Sequence, residues 1–130
     1  MIIDTSAIMA ILLQESGYEV FTGALHRHGG ASISCGTLIE LTAVLTRGYQ
    51  GSYDSVAETF LSQFRIDTAP MTQDQARIGR DAYRRYGIGS GHPARLNFGD
   101  CFAYALAIER DEPLLFKGED FIHTDVRRAI

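Results

Sequence analysis

Four carboxylates stand where a chain seldom places charge. Asp4 closes the apolar run Met1-Ile2-Ile3, and Glu40 interrupts Leu38-Ile39-Glu40-Leu41. Asp100 opens the run from Cys101 to Ile108, and Asp120 follows Leu114-Leu115-Phe116-Lys117-Gly118-Glu119. An acid beside a core-forming segment is costly to desolvate unless something neutralises it. Several such acids converging at one end of a sheet would hold a hard divalent cation. Magnesium takes oxygen ligands, keeps part of its water shell and can activate a water for attack on phosphorus.

Each acid also has a plainer job open to it. Asp4 can cap the helix that follows. Asp100 can serve the dipole of its own helix from the first turn. Glu40 can complete a Thr-x-x-Glu capping box with Thr37. Asp120 can be a surface residue along with Glu119 and Asp125.

The elements that must bring these acids together follow from apolar spacing. Residues 1–4 spell a short buried strand, and Thr5 and Ser6 are candidate caps of a helix over 7–14. Gly17 breaks that helix. Residues 18–28 give a second one, with Val20, Phe21, Ala24 and Leu25 on one face, ending at Gly29-Gly30. Residues 31–34 make the second strand. Thr37 caps a helix over 38–47. Residues 53–64 form another, with Val56, Ala57, Phe60, Leu61 and Phe64 on one face. A strand over 65–69 is closed by Pro70. Thr72 then caps a helix over 73–86, with Gln75 completing a capping box. Residues 87–97 hold three glycines and Pro93, and so form an irregular loop. A helix over 97–110 and a strand over 113–116 follow, and residues 121–130 finish the domain.

Strands separated by helix pairs require parallel pairing. The expected fold is therefore α/β: a three-layer α/β/α sandwich with a central parallel sheet, one domain over residues 1–130. In such sheets, sites form at the carboxyl ends of the strands. Asp4 and Asp120 fall there, and Glu40 and Asp100 lie near the N-terminal ends of their own helices.

Composition narrows the class of function. A chain of 130 residues with 45% hydrophobic content can build one substantial core, and 22% charged residues argue against disorder. No apolar stretch approaches the length that spans a bilayer. The opening Met-Ile-Ile-Asp has no basic segment or cleavage-like site, so a cytoplasmic protein is expected. Cys35 and Cys101 form neither a metal motif nor a redox pair and read as buried free thiols. A formal net charge of −4 argues against nucleic-acid binding by bulk attraction. Local patches must carry any polyanion contact, and arginines gather at positions 77, 80, 84, 85 and 95.

Met1-Ile2-Ile3-Asp4-Thr5-Ser6-Ala7, the helix bearing Glu40, and Leu96-Asn97-Phe98-Gly99-Asp100-Cys101 together resemble the PIN-domain ribonucleases. More narrowly, they are similar to the VapC toxins of bacterial type II toxin–antitoxin pairs, over the whole chain. The resemblance implies a magnesium- or manganese-dependent endonuclease cutting RNA, with Asp4, Glu40 and Asp100 as its acidic core. It also implies a homodimer inhibited by a small cognate antitoxin of the VapB kind. One segment departs from the family. A Thr-x-Asp-x-Asp-Phe-like stretch often closes the site, and here Gly118 stands at its first acid while Asp120 matches its second. A fourth acidic position is then Asp120 or Glu119, reached through water, or is missing.

On that reading, Asp4 and Asp100 would hold one magnesium ion, directly or through ordered water. Glu40 would orient and deprotonate the attacking water or bind a second ion. Cleavage would leave a 5′-phosphate and a 3′-hydroxyl. Thr5 and Ser6 would supply hydroxyl hydrogen bonds that fix Asp4 or the phosphate. Arg77, Arg80 and Arg84 share one helix face. With Arg85 and Arg95 they could flank the acids and grip phosphates, or they could be solvated and paired with Asp74 and Asp81. His92, in the glycine-rich loop, could shape the RNA groove or simply be exposed. His26 and His28 offer a His-x-His pair in a poor place for zinc.

Two other classes fit less well. A receiver domain would use Asp67 as phospho-acceptor with the late Lys117, yet it needs adjacent acids where Thr5 follows Asp4. A non-catalytic PIN-like binding module would have no reason to hold three core acids. Apolar faces around Tyr49, Tyr53 and Phe60 suit either an interface or a core.

Overall fold

Ile2, Ile33, Leu114 and Leu115, all fully buried, make the centre of a parallel sheet. The computed structural model describes residues 1–48 and 53–130, with no description of the side chains of 53 and 54. The elements are β1 (Ile2–Ile3), α1 (Thr5–Leu12), α2 (Tyr18–His28), β2 (Ala31–Ser34) and α3 (Cys35–Gly48). They continue with α4 (Tyr53–Gln63), β3 (Ile66–Ala69), α5 (Gln73–Tyr86), α6 (Asp100–Arg110) and β4 (Leu114–Leu115).

The strand order is β3-β2-β1-β4, and every pairing is parallel. Ile2 sits beside Ser32 on one side and Leu114 on the other. Alternation along β1 splits the core in two. Ile3 packs with Ile8, Leu25, Ile33, Leu41, Phe60 and Leu115, under the layer of α1 to α4. Ile2 packs with Ala82, Leu96, Tyr104, Leu106 and Leu114, under α5 and α6. This is the three-layer α/β/α sandwich that the helix doublets require. Successive strands step outward from β1 to β3, and the chain then crosses back to place β4 on the other flank of β1. The order reverses at β1, the kind of switch point beyond whose carboxyl end sites form in such sheets.

Several boundaries differ from the sequence reading. β1 stops at Ile3, because Asp4 is itself the N-cap of α1 and its carboxylate accepts the Ser6 N–H. Thr5 and Ser6 therefore lie inside the helix rather than capping it. α3 begins two residues ahead of Thr37, where Ser34 Oγ accepts the Gly36 N–H at 3.2 Å. Thr37 is buried within the first turn and makes no capping box with Glu40. Thr72 does cap α5 through the Gln75 N–H, but the Gln75 side chain turns to Pro70 O and Glu109 instead of returning to the cap. α6 starts at Asp100, not Asn97. Phe60 is 3% exposed and belongs to the core. Tyr49 and the Tyr53 side chain lie outside the described residues. Among the described residues, no helix is long and apolar enough to cross a membrane.

Candidate active site

Asp4 lies just beyond the carboxyl end of β1 and is only 3% exposed. Its two oxygens have different fates. Oδ2 accepts the Ser6 backbone N–H at 2.9 Å and the Ser6 hydroxyl at 2.5 Å. Ser6 Oγ in turn accepts the Lys117 N–H at 3.0 Å, so one hydroxyl ties Asp4 to the segment just after β4. Oδ1 is buried with no hydrogen-bond partner among the described residues. A buried carboxylate oxygen without a donor is expensive, and such a group calls for an explanation.

Glu40 reaches the same end of the sheet from α3. Its Oε2 accepts the Thr5 hydroxyl at 2.9 Å, so Thr5 orients Glu40 while Ser6 orients Asp4. Gly99 makes this possible from the other side. A Cβ there would lie 2.0 Å from Glu40 Oε1, so any larger residue would drive the carboxylate away. Asp100 opens α6 and is 6% exposed. It accepts the Asn97 N–H at 2.6 Å and donates its own N–H to Asn97 Oδ1 at 3.0 Å. That reciprocal pair locks the turn carrying Asp100.

Burial raises all three acids above the ordinary carboxylate range. For Asp4, desolvation outweighs the hydrogen bonds from Ser6 and from the Thr5 backbone, and the charge of Asp120 pushes the same way. For Glu40, desolvation dominates, the Thr5 bond opposes it, and Asp4 adds to it. Asp100 is pushed up to about 7 by burial, with Asp4, Asp120 and Glu40 contributing repulsion. The four acids therefore feel one another, although Asp120 is exposed. Glu119 is exposed too and contributes to none of these shifts.

A shared cation would relieve both costs, desolvation and repulsion. The donor set is carboxylate oxygen throughout, which suits a hard ion such as magnesium or manganese rather than zinc. The orphaned Oδ1 of Asp4 is the atom best suited to meet one. Among the described residues, no three His, Cys, Asp or Glu side chains are already drawn tight around a point.

The arginines divide. Arg77 pairs with Asp74 at 3.2 Å, Arg84 with Asp81 at 2.7 Å, and Arg85 with both Asp81 and Asp125. Arg80 and Arg84 line a largely apolar groove of about 410 Å³ with Met71, Tyr83, Phe98 and Phe102, on the far side of Phe98 from Glu40. Arg95 lies in a different groove, beside Asn97, Asp120 and His123. His92 is engaged within its loop, edge-on to Tyr86 with ring centroids 4.8 Å apart and accepting the Ala94 N–H. His26 packs on Phe64, and both cysteines are free thiols. Lys117 pairs with Glu15, and Asp67 is exposed on the edge strand β3, so neither takes up a receiver-like arrangement.

The Ser6 hydroxyl fixes Asp4 as the sequence suggests, while two supporting residues and one long-range link escaped the sequence reading. The Asn97 side chain was legible in principle, since Asn-x-x-Asp can close a reciprocal turn. Gly99 showed only as part of a motif. The Ser6 link to Lys117 spans 111 positions, and no local pattern reveals it.

Comparison with known proteins places the chain in a family. The PIN domain family model matches residues 1–127. The chain belongs to the PIN-domain family. Its curated relatives include ribonuclease VapC42 of Mycobacterium tuberculosis, 46% identical over 129 residues, covering 99% of this chain and 98% of the relative. Ribonuclease VapC28 of the same species is 44% identical over 130 residues, covering 100% and 98%. Among solved structures, the VapC20 toxin of M. tuberculosis, described as cleaving the sarcin–ricin loop, superposes with a TM-score of 0.72 at 16% identity. That match covers 97% of this chain and 98% of the other. A toxin–antitoxin complex from Klebsiella pneumoniae gives 0.67 at 18% identity, covering 95% and 92%. At those identities the two structures speak for the fold alone.

Proposed function

We propose that this chain is an endoribonuclease toxin, dependent on magnesium or manganese and silenced by a small cognate antitoxin. The observation that carries the reading is the buried, unpartnered Oδ1 of Asp4, at the end of the sheet where Glu40 and Asp100 are also raised. Asp4 and Asp100 are the residues to hold the ion. When bound, a divalent cation acidifies a coordinated water and offsets the charge gathering at phosphorus.

The chain's own residues do the rest. Ser6 fixes Asp4 through two bonds and anchors it to the backbone after β4. Asn97 fixes Asp100 in the same way. Glu40, half-buried and steered by Thr5, takes the proton of the attacking water. Asp120 borders the site and adds negative potential there. In-line attack leaves a 5′-phosphate and a 3′-hydroxyl and makes no use of the 2′-hydroxyl. Preference for RNA then rests on single-strand shape and fit.

The names of the relatives support ribonuclease activity, and the Klebsiella protein that shares the fold is itself part of a toxin–antitoxin complex. Apolar surface beside the site supports protein partners as well. Phe98 is 74% and Ile39 72% exposed, on grooves of about 410 and 400 Å³. An antitoxin and a second copy of the chain are the proposed partners, in the cytoplasm, with residues 1–130 acting as one PIN-like unit.

The test is cleavage of RNA by purified chain with magnesium, with manganese and with chelator. Cleavage should require the ion and should be lost in Asp4→Ala and Asp100→Ala. Parental rates in either variant would defeat the reading.

A further inference from the structure

A phosphodiester approaching Asp4, Glu40, Asp100 and Asp120 meets four negative side chains, and one divalent ion leaves part of that repulsion in place. Something on the protein must draw the strand in. Arg77, Arg84 and Arg85 are engaged with acids of α5 and the C-terminal segment, and Lys117 with Glu15, while Arg47, Arg80 and Arg95 line three grooves without an ion pair among the described residues.

A groove of about 380 Å³ lies between the loop before α6 and the segment after β4, lined by Arg95, His123, Asn97, Ile88 and two acids, Glu119 and Asp120. That is the size range of small-ligand pockets, about 300–1,000 Å³. It joins the acids at two points. Asn97 is bonded reciprocally to Asp100, and the charge of Asp120 is felt by both Asp4 and Asp100. Arg95 and His123 are exposed, and neither makes an ion pair among the described residues.

The backbone under Arg95 is held in place. Arg95 adopts φ 53°, a left-handed conformation that costs a non-glycine residue free energy. Two hydrogen bonds clamp it there, Ile88 N–H to Leu96 O at 2.9 Å and Leu96 N–H to Tyr86 O at 2.8 Å. The guanidinium is thus presented from a closed loop, not from a free tail.

We propose that this groove is the track for the RNA strand beside the scissile phosphate, with Arg95 and His123 holding its backbone phosphates. The inference rests on the ribonuclease reading for its ligand. It also separates Arg95 from Arg77, Arg84 and Arg85, whose charges face aspartates.

Binding of a fluorescein-labelled single-stranded RNA, followed by anisotropy in calcium over a range of salt, tests it without requiring cleavage. Arg95→Gly removes the cation and suits the left-handed backbone, so misfolding does not confound it. It should weaken binding about tenfold. The slope of log affinity on log salt should flatten by about 0.7 for each phosphate the variant no longer holds. His123→Ala should act in the same direction, and Arg95→Lys should restore most of the slope. Arg127→Ala, which removes an equal charge paired with Asp111 at the other end of the sheet, should match the parent. Parental affinity and slope in Arg95→Gly would overturn the proposal, whatever else the groove touches. If the parent binds through Arg95 but never cuts, the track stands and the nuclease reading falls.

Discussion

The exposed face of α5 and the carboxyl end of the sheet both concentrate charge, and the structure treats them in opposite ways. On α5, Asp74 meets Arg77 and Asp81 meets Arg84 one turn apart, in solvent, with ordinary i,i+3 geometry. At the sheet end, Asp4 and Asp100 are buried without an ion pair among the described residues, and their charged neighbours are further acids. Exposed pairs of the first kind contribute about 0–1 kcal/mol and need no purpose beyond solubility. Buried like charges lower stability and persist only where something else is gained. Density of charge is therefore a poor guide to a site. The cost of placing the charge is a better one.

The largest effect that should follow is on cleavage. Asp4→Asn keeps the shape of the residue but removes the charge that answers a cation, and should lower the cleavage rate by about a thousandfold or more. Single-turnover assays would measure it. A drop below about tenfold would put Asp4 in the same class as the α5 acids.

Supporting residues come next. Ser6→Ala removes both the second bond to Asp4 and the link to Lys117, and should lower metal affinity or activity by about 10–100-fold. Gly99→Ala forces Glu40 aside, and should impair the rate more than RNA affinity. Equal loss of both, or of neither, would mean that Glu40 has no part in the chemical step.

The same contrast has a signature in stability. Asp100 titrates near 7 in the folded chain, against 3.8 when unfolded. Between those values the unfolded chain has lost the proton while the folded one keeps it, so stability falls as pH rises. Without divalent ions, the melting temperature should therefore decline from about pH 4 to about pH 7, and Asp4 adds to the trend in the same direction. Asp100→Asn should flatten the decline, and magnesium should offset it at neutral pH. A flat profile in thermal melts across that range in chelator would mean that the acids are well solvated.

The smallest effect belongs to α5. Arg84→Ala should change stability by about 0.5 kcal/mol or less and leave cleavage within about twofold. A large loss would mean that the strand runs along the groove of Arg80 and Arg84 and not past Arg95.

How much of this was legible follows from what each signal depends on. Asp4, Glu40 and Asp100 stood out because their neighbours in sequence are apolar, and burial is inherited from neighbours. The ion pairs on α5 were equally readable, being local in spacing. Boundaries failed where more than one residue could do the same job. Asp4 ends a strand and caps a helix, and Ser34 and Thr37, three residues apart, are both good residues to open α3. Phe60 could not be assigned to core or interface from its face alone, because an apolar face reads the same until its packing partners are known. Gly99, the second bond of Ser6 and the surroundings of Arg95 depend on distant segments: the Glu40 carboxylate, the backbone after β4 and the wall beside Asp120.

Manganese-induced broadening of backbone amide resonances tests the central claim most directly, since a paramagnetic ion marks the residues around it. At neutral pH, broadening should centre on residues 4–6, 40 and 99–101 at low metal, and Asp100→Asn should abolish it. Broadening confined to the exposed acids of α5, or spread evenly over the surface, would contradict a cation seated between Asp4 and Asp100.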